Sequence, residues 1–108
     1  RQQRIPLSSL QNKRVVAVAG IGHPSRFFEM LRSQGVALES AIALPDHFDF
    51  STNPFAVIRA DIILITEKDA VKCSRIDGIA QDARLWAVPV EANITEPLAR
   101  DILEKLRG

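Results

Sequence analysis

The sequence is poor in the residues that build disulfides, metal sites and membrane spans. It contains one cysteine, Cys73, which excludes an internal disulfide and a metal site made of cysteines alone. Its longest mainly apolar runs, residues 15–21 and 62–65, fall far short of the ~20 residues that a membrane-spanning helix needs. The first residues are polar and basic, without the apolar stretch of a secretory signal. We therefore expect a soluble chain.

An excess of either charge is also missing. The chain has 14 Lys and Arg against 13 Asp and Glu, a net charge of +1. Proteins that bind nucleic acid through its phosphates are strongly basic, so we expect no nucleic-acid partner. The charge is unevenly spread, because residues 1–14 hold Arg1, Arg4, Lys13 and Arg14 and no acid. We predict that residues 1–14 form a linker or N-terminal arm, which is either solvated or in contact with an anionic surface such as acidic lipid.

Short apolar strands alternate with amphipathic helices over residues 15–108, a length that allows one domain. The predicted strands cover residues 15–19, 36–43, 61–65 and 84–90. The predicted helices begin at Pro24, Pro54, Thr66 and Thr95. Their apolar positions are Phe27, Phe28, Met30 and Leu31 in the first helix and Phe55, Val57 and Ile58 in the second. They are Ala70 and Val71 in the third helix and Leu98, Ile102, Leu103 and Leu106 in the fourth. Such alternation predicts an α/β, Rossmann-like fold: a small open, mainly parallel sheet of about four strands with helices on both faces.

Three predicted loops leave the carboxyl ends of these strands, where open parallel sheets bind ligands. The first, Gly20 to His23, feeds the helix N-terminus at Pro24, and such a terminus favours anions. Ser25 replaces the third glycine of the dinucleotide fingerprint, and no Gly-Lys-Ser/Thr follows, so the loop is not a P-loop. Gly20, Gly22 and His23 therefore form either a tight turn or a contact to a phosphate.

The second loop, Pro45 to Asp49, pairs a carboxylate with an imidazole at Asp46 and His47. Histidine exchanges protons near neutral pH, and a carboxylate can orient it. Residues adjacent in a loop need not touch, so the pair is either catalytic or an ordinary polar loop.

The third loop follows a buried strand and is densely charged. Its candidate residues are Thr66, Glu67, Lys68, Asp69 and Lys72. The spacing of Thr66 and Asp69 resembles a capping box with Asp in place of Glu. The segment is therefore either a capped helix start or a charged cluster that contacts phosphate or closes an inter-domain cleft. Cys73 is expected to be a packing residue, and we identify no metal ligands.

Three segments together resemble one enzyme family. They are Val-Ala-Val-Ala-Gly-Ile-Gly-His-Pro-Ser-Arg-Phe-Phe (16–28), Pro-Asp-His-Phe (45–48) and Ile-Thr-Glu-Lys-Asp-Ala-Val-Lys-Cys (65–73). In this order and spacing they look like the C-terminal part of tetraacyldisaccharide 4′-kinases, which act in lipid A biosynthesis in Gram-negative bacteria. The resemblance runs from about Lys13 to Leu106.

The resemblance implies a function for a larger protein. Kinases of this family resemble P-loop proteins and transfer the γ-phosphoryl group of ATP, with Mg²⁺, to the 4′-hydroxyl of a disaccharide-1-phosphate lipid. They work peripherally at the cytoplasmic face of the inner membrane. The ATP and Mg²⁺ sites belong to an N-terminal P-loop domain, which is absent from these 108 residues. Residues 15–108 would then be the C-terminal domain of a two-domain kinase, inactive alone, with that P-loop domain and the lipid A precursor as partners.

By the same resemblance, His47 matches a histidine thought to help activate the sugar hydroxyl, with Asp46 as its orienter. For the segments 20–24 and 66–72 the resemblance implies a place at the inter-domain cleft without a defined role. Two alternatives remain open at this stage: a stand-alone phosphate- or nucleotide-binding α/β module, and a purely structural docking domain.

Overall fold

The computed structural model describes residues 10–88 in full and the backbone of residues 4–6 and 102–105. Its strands are β1 (Arg4–Pro6), β2 (Val15–Ala19), β3 (Leu38–Ala43), β4 (Ile62–Thr66), β5 (Leu85–Val88) and β6 (Ile102–Lys105). Its helices are α1 (Pro24–Ser33) and α2 (Glu67–Cys73). Among the described residues, no helix is both long and apolar enough to cross a membrane.

The strands form one sheet in the order β1-β6-β5-β4-β2-β3. The four strands β3, β2, β4 and β5 are parallel neighbours, which confirms the predicted parallel α/β sheet. Strand β6 pairs antiparallel with β5, and β1 pairs antiparallel with β6. The chain leaves β2 toward β3 on one side and returns to β4 on the other, so the order of the strands switches between β2 and β4.

Two apolar clusters cover the two faces of the sheet. Strands β2 and β4 are therefore buried along their whole length. On one face, α1 packs Phe27, Phe28 and Leu31 against alternate residues of the strands. On the opposite face, Ala70 and Cys73 of α2 pack together with the aromatic rings of the segment between β3 and β4. Helices therefore lie on both faces, as predicted.

The helix predicted at Pro54 is wrong. Residues 54–57 form a turn, and the amide of Phe55 bonds to the Oδ1 of Asn53 at 2.9 Å instead of starting a helix. Phe55 is fully buried, but Val57 is 87% exposed, so the segment buries single side chains rather than one helical face. The guanidinium of Arg84 donates to the carbonyls of Phe55 and Ile58 and holds this turn in place.

The C-terminal helix prediction is also wrong where the structure describes it. Ile102 and Leu103 lie in β6, not in a helix, because pairing with the neighbouring strands β5 and β1 prevails over a helical apolar pattern. Thr95, Leu98, Leu106 and the predicted end of the fourth strand at residues 89–90 lie outside the described residues. The second and fourth predicted strands correspond to β3 and β5, which begin later than predicted, at Leu38 and Leu85.

Part of the predicted N-terminal arm belongs to the sheet. Strand β1 lies within residues 1–14, and Leu10 is buried against the α1 face. Arg14 is also engaged: its guanidinium bonds both carboxylate oxygens of Glu39 at 2.8–2.9 Å, and its amide bonds Asp61. The paired Arg14 is therefore less available for an anionic surface than the sequence alone indicated.

Candidate functional site

The three loops singled out in the sequence meet at the carboxyl edge of the sheet. The loop after β2 and the start of α2 lie on either side of the switch in strand order, and the loop after β3 packs against both. The amide of Leu44 bonds to the carbonyl of Ala19 at 2.8 Å, so β3 leads its loop directly over the β2 turn.

A buried carboxylate joins the first loop to the third. Asp69 is 1% exposed, and its Oδ2 accepts from the Gly20 amide at 2.8 Å and from the Thr66 hydroxyl at 3.1 Å. The Asp69 amide in turn donates to Oγ1 of Thr66 at 3.1 Å, so Thr66 caps α2 as its spacing indicated. The Asp69 side chain does not complete a capping box on α2, because its carboxylate bonds to the amide of Gly20, the residue that follows β2.

The Oδ1 of Asp69 is buried and has no hydrogen-bond partner in the part of the chain that the structure describes. It lies beside Gly20, where an added Cβ would come within 3.4 Å of it. The Gly20 amide is already bonded to this carboxylate. A phosphate at that amide would both lose the donor and meet a negative charge, so the geometry disfavours anion binding at Gly20.

Space, rather than backbone conformation, accounts for glycine at position 20. A Cβ there would lie 3.2 Å from Cβ of Phe48 and 3.4 Å from the carbonyl oxygen of Pro45. A contact of 3.2 Å is tighter than most Cβ contacts, so the β2 turn and the Asp46–His47 loop fit together only because Gly20 has no side chain.

The Asp46–His47 pair stands at the surface of this edge. The His47 side chain is 90% exposed and the Asp46 side chain 53%, with 3.7 Å between Nε2 of His47 and Oδ2 of Asp46. That distance exceeds a hydrogen bond but is within ion-pairing reach of a protonated imidazole. An exposed imidazole with a nearby carboxylate can accept a proton and have the resulting charge stabilised.

The remaining predicted site residues divide by exposure. Glu67 and Lys68 are exposed at the start of α2, whereas Lys72 is half-buried and its Nζ donates to the Phe48 carbonyl at 3.1 Å. Gly22 and His23 are exposed; His23 occupies the N-cap position of α1 without a side-chain hydrogen bond to the helix. Among the described residues, a Cβ on Gly22 would approach only the carboxylate of Asp46. The structure thus brings Gly20, Thr66, Asp69 and Lys72 together beneath the loop that carries His47.

Two features of this site are not among those predicted from the sequence. The Phe50 ring is buried, with its centroid 5.0 Å from that of Phe48, edge to face, and 5.9 Å from that of Phe55, stacked. His47 and Phe50 both have positive φ, 61° and 59°. The three phenylalanines at positions 48, 50 and 55 were the sequence signal from which a buried aromatic cluster could have been predicted. No sequence signal indicated the positive φ angles.

Cys73 is a packing residue, as expected. It is fully buried on the α2 face. Burial, with a further contribution from the negative charge of Asp69, raises the pKa of the Cys73 thiol to about 12. The thiol therefore stays protonated at neutral pH and lacks the thiolate that nucleophilic chemistry needs.

Among the described residues, no group of three or more His, Cys, Asp and Glu side chains could hold a metal ion.

Fold and site together define a doubly wound α/β domain, in which the candidate chemical groups gather where the strand order switches. The family model for tetraacyldisaccharide-1-P 4′-kinase matches residues 1–107. This chain belongs to the tetraacyldisaccharide 4′-kinase family.

Curated relatives and one solved structure agree with this membership. The tetraacyldisaccharide 4′-kinase of Janthinobacterium sp. (strain Marseille) is 58% identical over 94 residues, covering 87% of this chain and 27% of that protein. The Herminiimonas arsenicoxydans enzyme is 54% identical, over 88% of this chain and 26% of that protein. A crystal structure of LpxK from Aquifex aeolicus in complex with ATP matches with a TM-score of 0.60 and 23% identity, over 80% of this chain and 29% of that one.

The chain therefore spans about a quarter of the length of the curated relatives it matches. The similarity to the Aquifex structure, at 23% identity, concerns the fold.

Proposed function

We propose that this chain is the C-terminal α/β domain of an ATP-dependent lipid kinase. The full protein transfers the γ-phosphoryl group of ATP to the 4′-hydroxyl of a disaccharide-1-phosphate precursor of lipid A. ATP and Mg²⁺ are bound mainly by an N-terminal P-loop domain, and the enzyme works peripherally at the cytoplasmic face of the inner membrane. Alone, the chain is inactive. Family membership, over a quarter of the relatives' length, supports this proposal.

His47 is the residue of this chain that acts in the reaction. It takes the proton from the acceptor hydroxyl as the oxygen forms its bond to the γ-phosphorus and the bond from phosphorus to the ADP oxygen breaks. Phosphoryl transfer depends mainly on positioning and charge stabilisation, with a base to orient the nucleophile. The observation that supports this role is the exposed His47 imidazole, whose Nε2 lies 3.7 Å from Oδ2 of Asp46. The Asp46 carboxylate can orient the ring and stabilise its protonated form.

The test is steady-state kinetics of the full-length protein with His47→Ala. We expect kcat to fall by about 10² to 10⁴, the range for loss of acid–base catalysis. His23→Ala is the comparison, since His23 is also an exposed imidazole at this edge; we expect it to lose much less. Turnover by His47→Ala at the wild-type rate would remove this residue from the mechanism.

The stand-alone nucleotide-binding module makes a different prediction. It requires the Gly20–Gly22 turn to bind phosphate, although the Gly20 amide is bonded to Asp69. Isothermal titration of ATP and of inorganic phosphate into the 108-residue chain separates the two functions. The kinase-domain proposal expects no binding in the micromolar range, whereas a micromolar Kd for ATP would favour the module.

A further inference from the structure

The loop that carries His47 adopts a backbone conformation that needs external support. His47 and Phe50 are non-glycine residues in the left-handed region, which is unfavourable for a residue with a Cβ and persists where the surroundings hold it. The His47 side chain is 90% exposed, so its own contacts do little to hold this backbone. The support has to come from the residues around it.

Helix α2 supplies one support through a lysine. The Nζ of Lys72 donates to the carbonyl oxygen of Phe48 at 3.1 Å, one residue beyond His47. Lys72 is half-buried, which strengthens a hydrogen bond from a charged donor relative to one in water. Its charge also contributes to holding the pKa of Asp49 below its usual range, after the larger effect of the Ser51 hydrogen bonds. Lys72 therefore bonds to the loop at Phe48 and lies near the next residue, Asp49.

The same helix supplies a second support one turn earlier. Asp69 and Lys72 are three residues apart, so they project from neighbouring positions of α2. Asp69 fixes the Gly20 amide, and Gly20 lies against Cβ of Phe48. Phe48 is thus held through its carbonyl by Lys72 and packed against the turn that Asp69 fixes.

We infer that Lys72 is a positioning residue for His47: its ammonium holds the Phe48 carbonyl and so orients the loop that presents the imidazole to the acceptor hydroxyl. The inference rests on the proposed function. It gives Lys72 a role through the loop backbone rather than through phosphate. Removing its charge should therefore misplace His47 without weakening the binding of ATP or lipid.

The experiment measures kcat and KM of the full-length kinase for Lys72→Met, Lys72→Gln and Lys72→Arg. We expect both neutral variants to lower kcat by roughly 10- to 100-fold, the effect of a small misplacement of a reacting group, with both KM values within about twofold of wild type. Lys72→Arg keeps the charge and hydrogen-bond donors and should recover most of kcat. Arg75→Met, which removes an exposed cation just after α2, is the control and should leave kcat unchanged.

A double variant identifies the partner of Lys72. If Lys72 acts only through His47, adding Lys72→Met to His47→Ala causes no further loss of kcat, because residues that act as a unit are not additive. Losses that multiply, a rise in KM alone, failure of Lys72→Arg to recover activity or an unchanged kcat in both neutral variants would each overturn the inference. A wild-type rate for His47→Ala would instead overturn the proposed function, so the two failures are distinguishable.

Discussion

Gly20 illustrates how one missing side chain lets two loops meet. Neither Gly20 nor Gly22 has a positive φ, so alanine could adopt the backbone conformation at both positions. The two positions differ only in the space available for a side chain. A Cβ at position 20 would meet Phe48, Pro45 and the buried Asp69, whereas a Cβ at position 22 would meet only the exposed Asp46 carboxylate in the part of the chain that the structure describes.

We therefore expect Gly20→Ala to lower the free energy of unfolding by about 1–3 kcal/mol, the usual range for overpacking. Gly22→Ala should change it by no more than about 0.5 kcal/mol, because a flexible surface carboxylate can move away. Urea denaturation followed by circular dichroism checks both variants. Equal effects at the two positions would contradict the close packing of the loops.

Asp82 is the carboxylate for which the structure gives the clearest pH dependence. Its hydrogen bonds with Arg84, at 2.7–3.0 Å, hold the pKa of Asp82 below its usual range. Because the folded-state pKa is the lower one, the folded state favours the ionised form. This contribution to stability is present above the unfolded pKa of about 4 and is lost as the pH falls through the folded-state pKa.

Asp82→Asn should accordingly be less stable than wild type near pH 6, and the difference should shrink steadily as the pH falls below about 4. Urea unfolding at a series of pH values measures it, with Asp77→Asn, at an exposed turn position, as the matched control. A difference that stays constant down to pH 2 would show that the ion pair does not produce the dependence.

The segment between β3 and β4 replaces a crossover helix with a turn held by one side chain. The guanidinium of Arg84 spans from Asp82 to the carbonyls of Phe55 and Ile58, at 3.0 and 2.6 Å. It therefore fastens the turn to the start of β5 and keeps the Phe55 ring in the core.

Arg84→Met should lower the free energy of unfolding by about 2–4 kcal/mol, because it removes the guanidinium bonds to the partly buried Asp82 carboxylate and to the carbonyls of Phe55 and Ile58. The exposed Arg59, in the same segment, is the control, and Arg59→Met should change the stability by less than about 0.5 kcal/mol. Thermal unfolding measures both. If Arg84→Met lost no more stability than Arg59→Met, the turn would be stable without the Arg84 guanidinium.

The elements set by local patterns were predictable from the sequence. The buried strands β2 and β4 are short runs rich in β-branched residues, Pro24 begins α1, and Gly35 follows this helix with a φ of 92°. Elements that depend on distant partners were not predictable. The Pro54 turn needs Arg84 from far along the chain, and β6 needs the neighbouring strands with which it pairs.

The candidate site divides in the same way. Parallel topology predicted that three loops would share one edge, and Thr66 caps α2 as its spacing to Asp69 indicated. No sequence pattern predicted that Asp69 would bond to Gly20 or that Lys72 would bond to Phe48. Both contacts join residues distant in the chain, and neither follows a local pattern.

At the scale of the described molecule, a sheet buried on both faces carries the exposed His47 imidazole on a loop at its carboxyl edge. The sheet and its two apolar clusters hold the three loops, and α2 ties them together through Asp69 and Lys72. Such an arrangement suits a domain that forms one wall of a cleft and presents a group to a substrate bound mainly elsewhere.

Chemical rescue by imidazole is the most direct test that His47 handles the proton in phosphoryl transfer. The measurement is the single-turnover rate of the full-length kinase with His47→Ala, at increasing concentrations of added imidazole. We predict a rate far below wild type that rises with imidazole concentration, while Lys72→Met, which keeps its own imidazole, does not respond. A His47→Ala rate equal to wild type without imidazole would contradict the account.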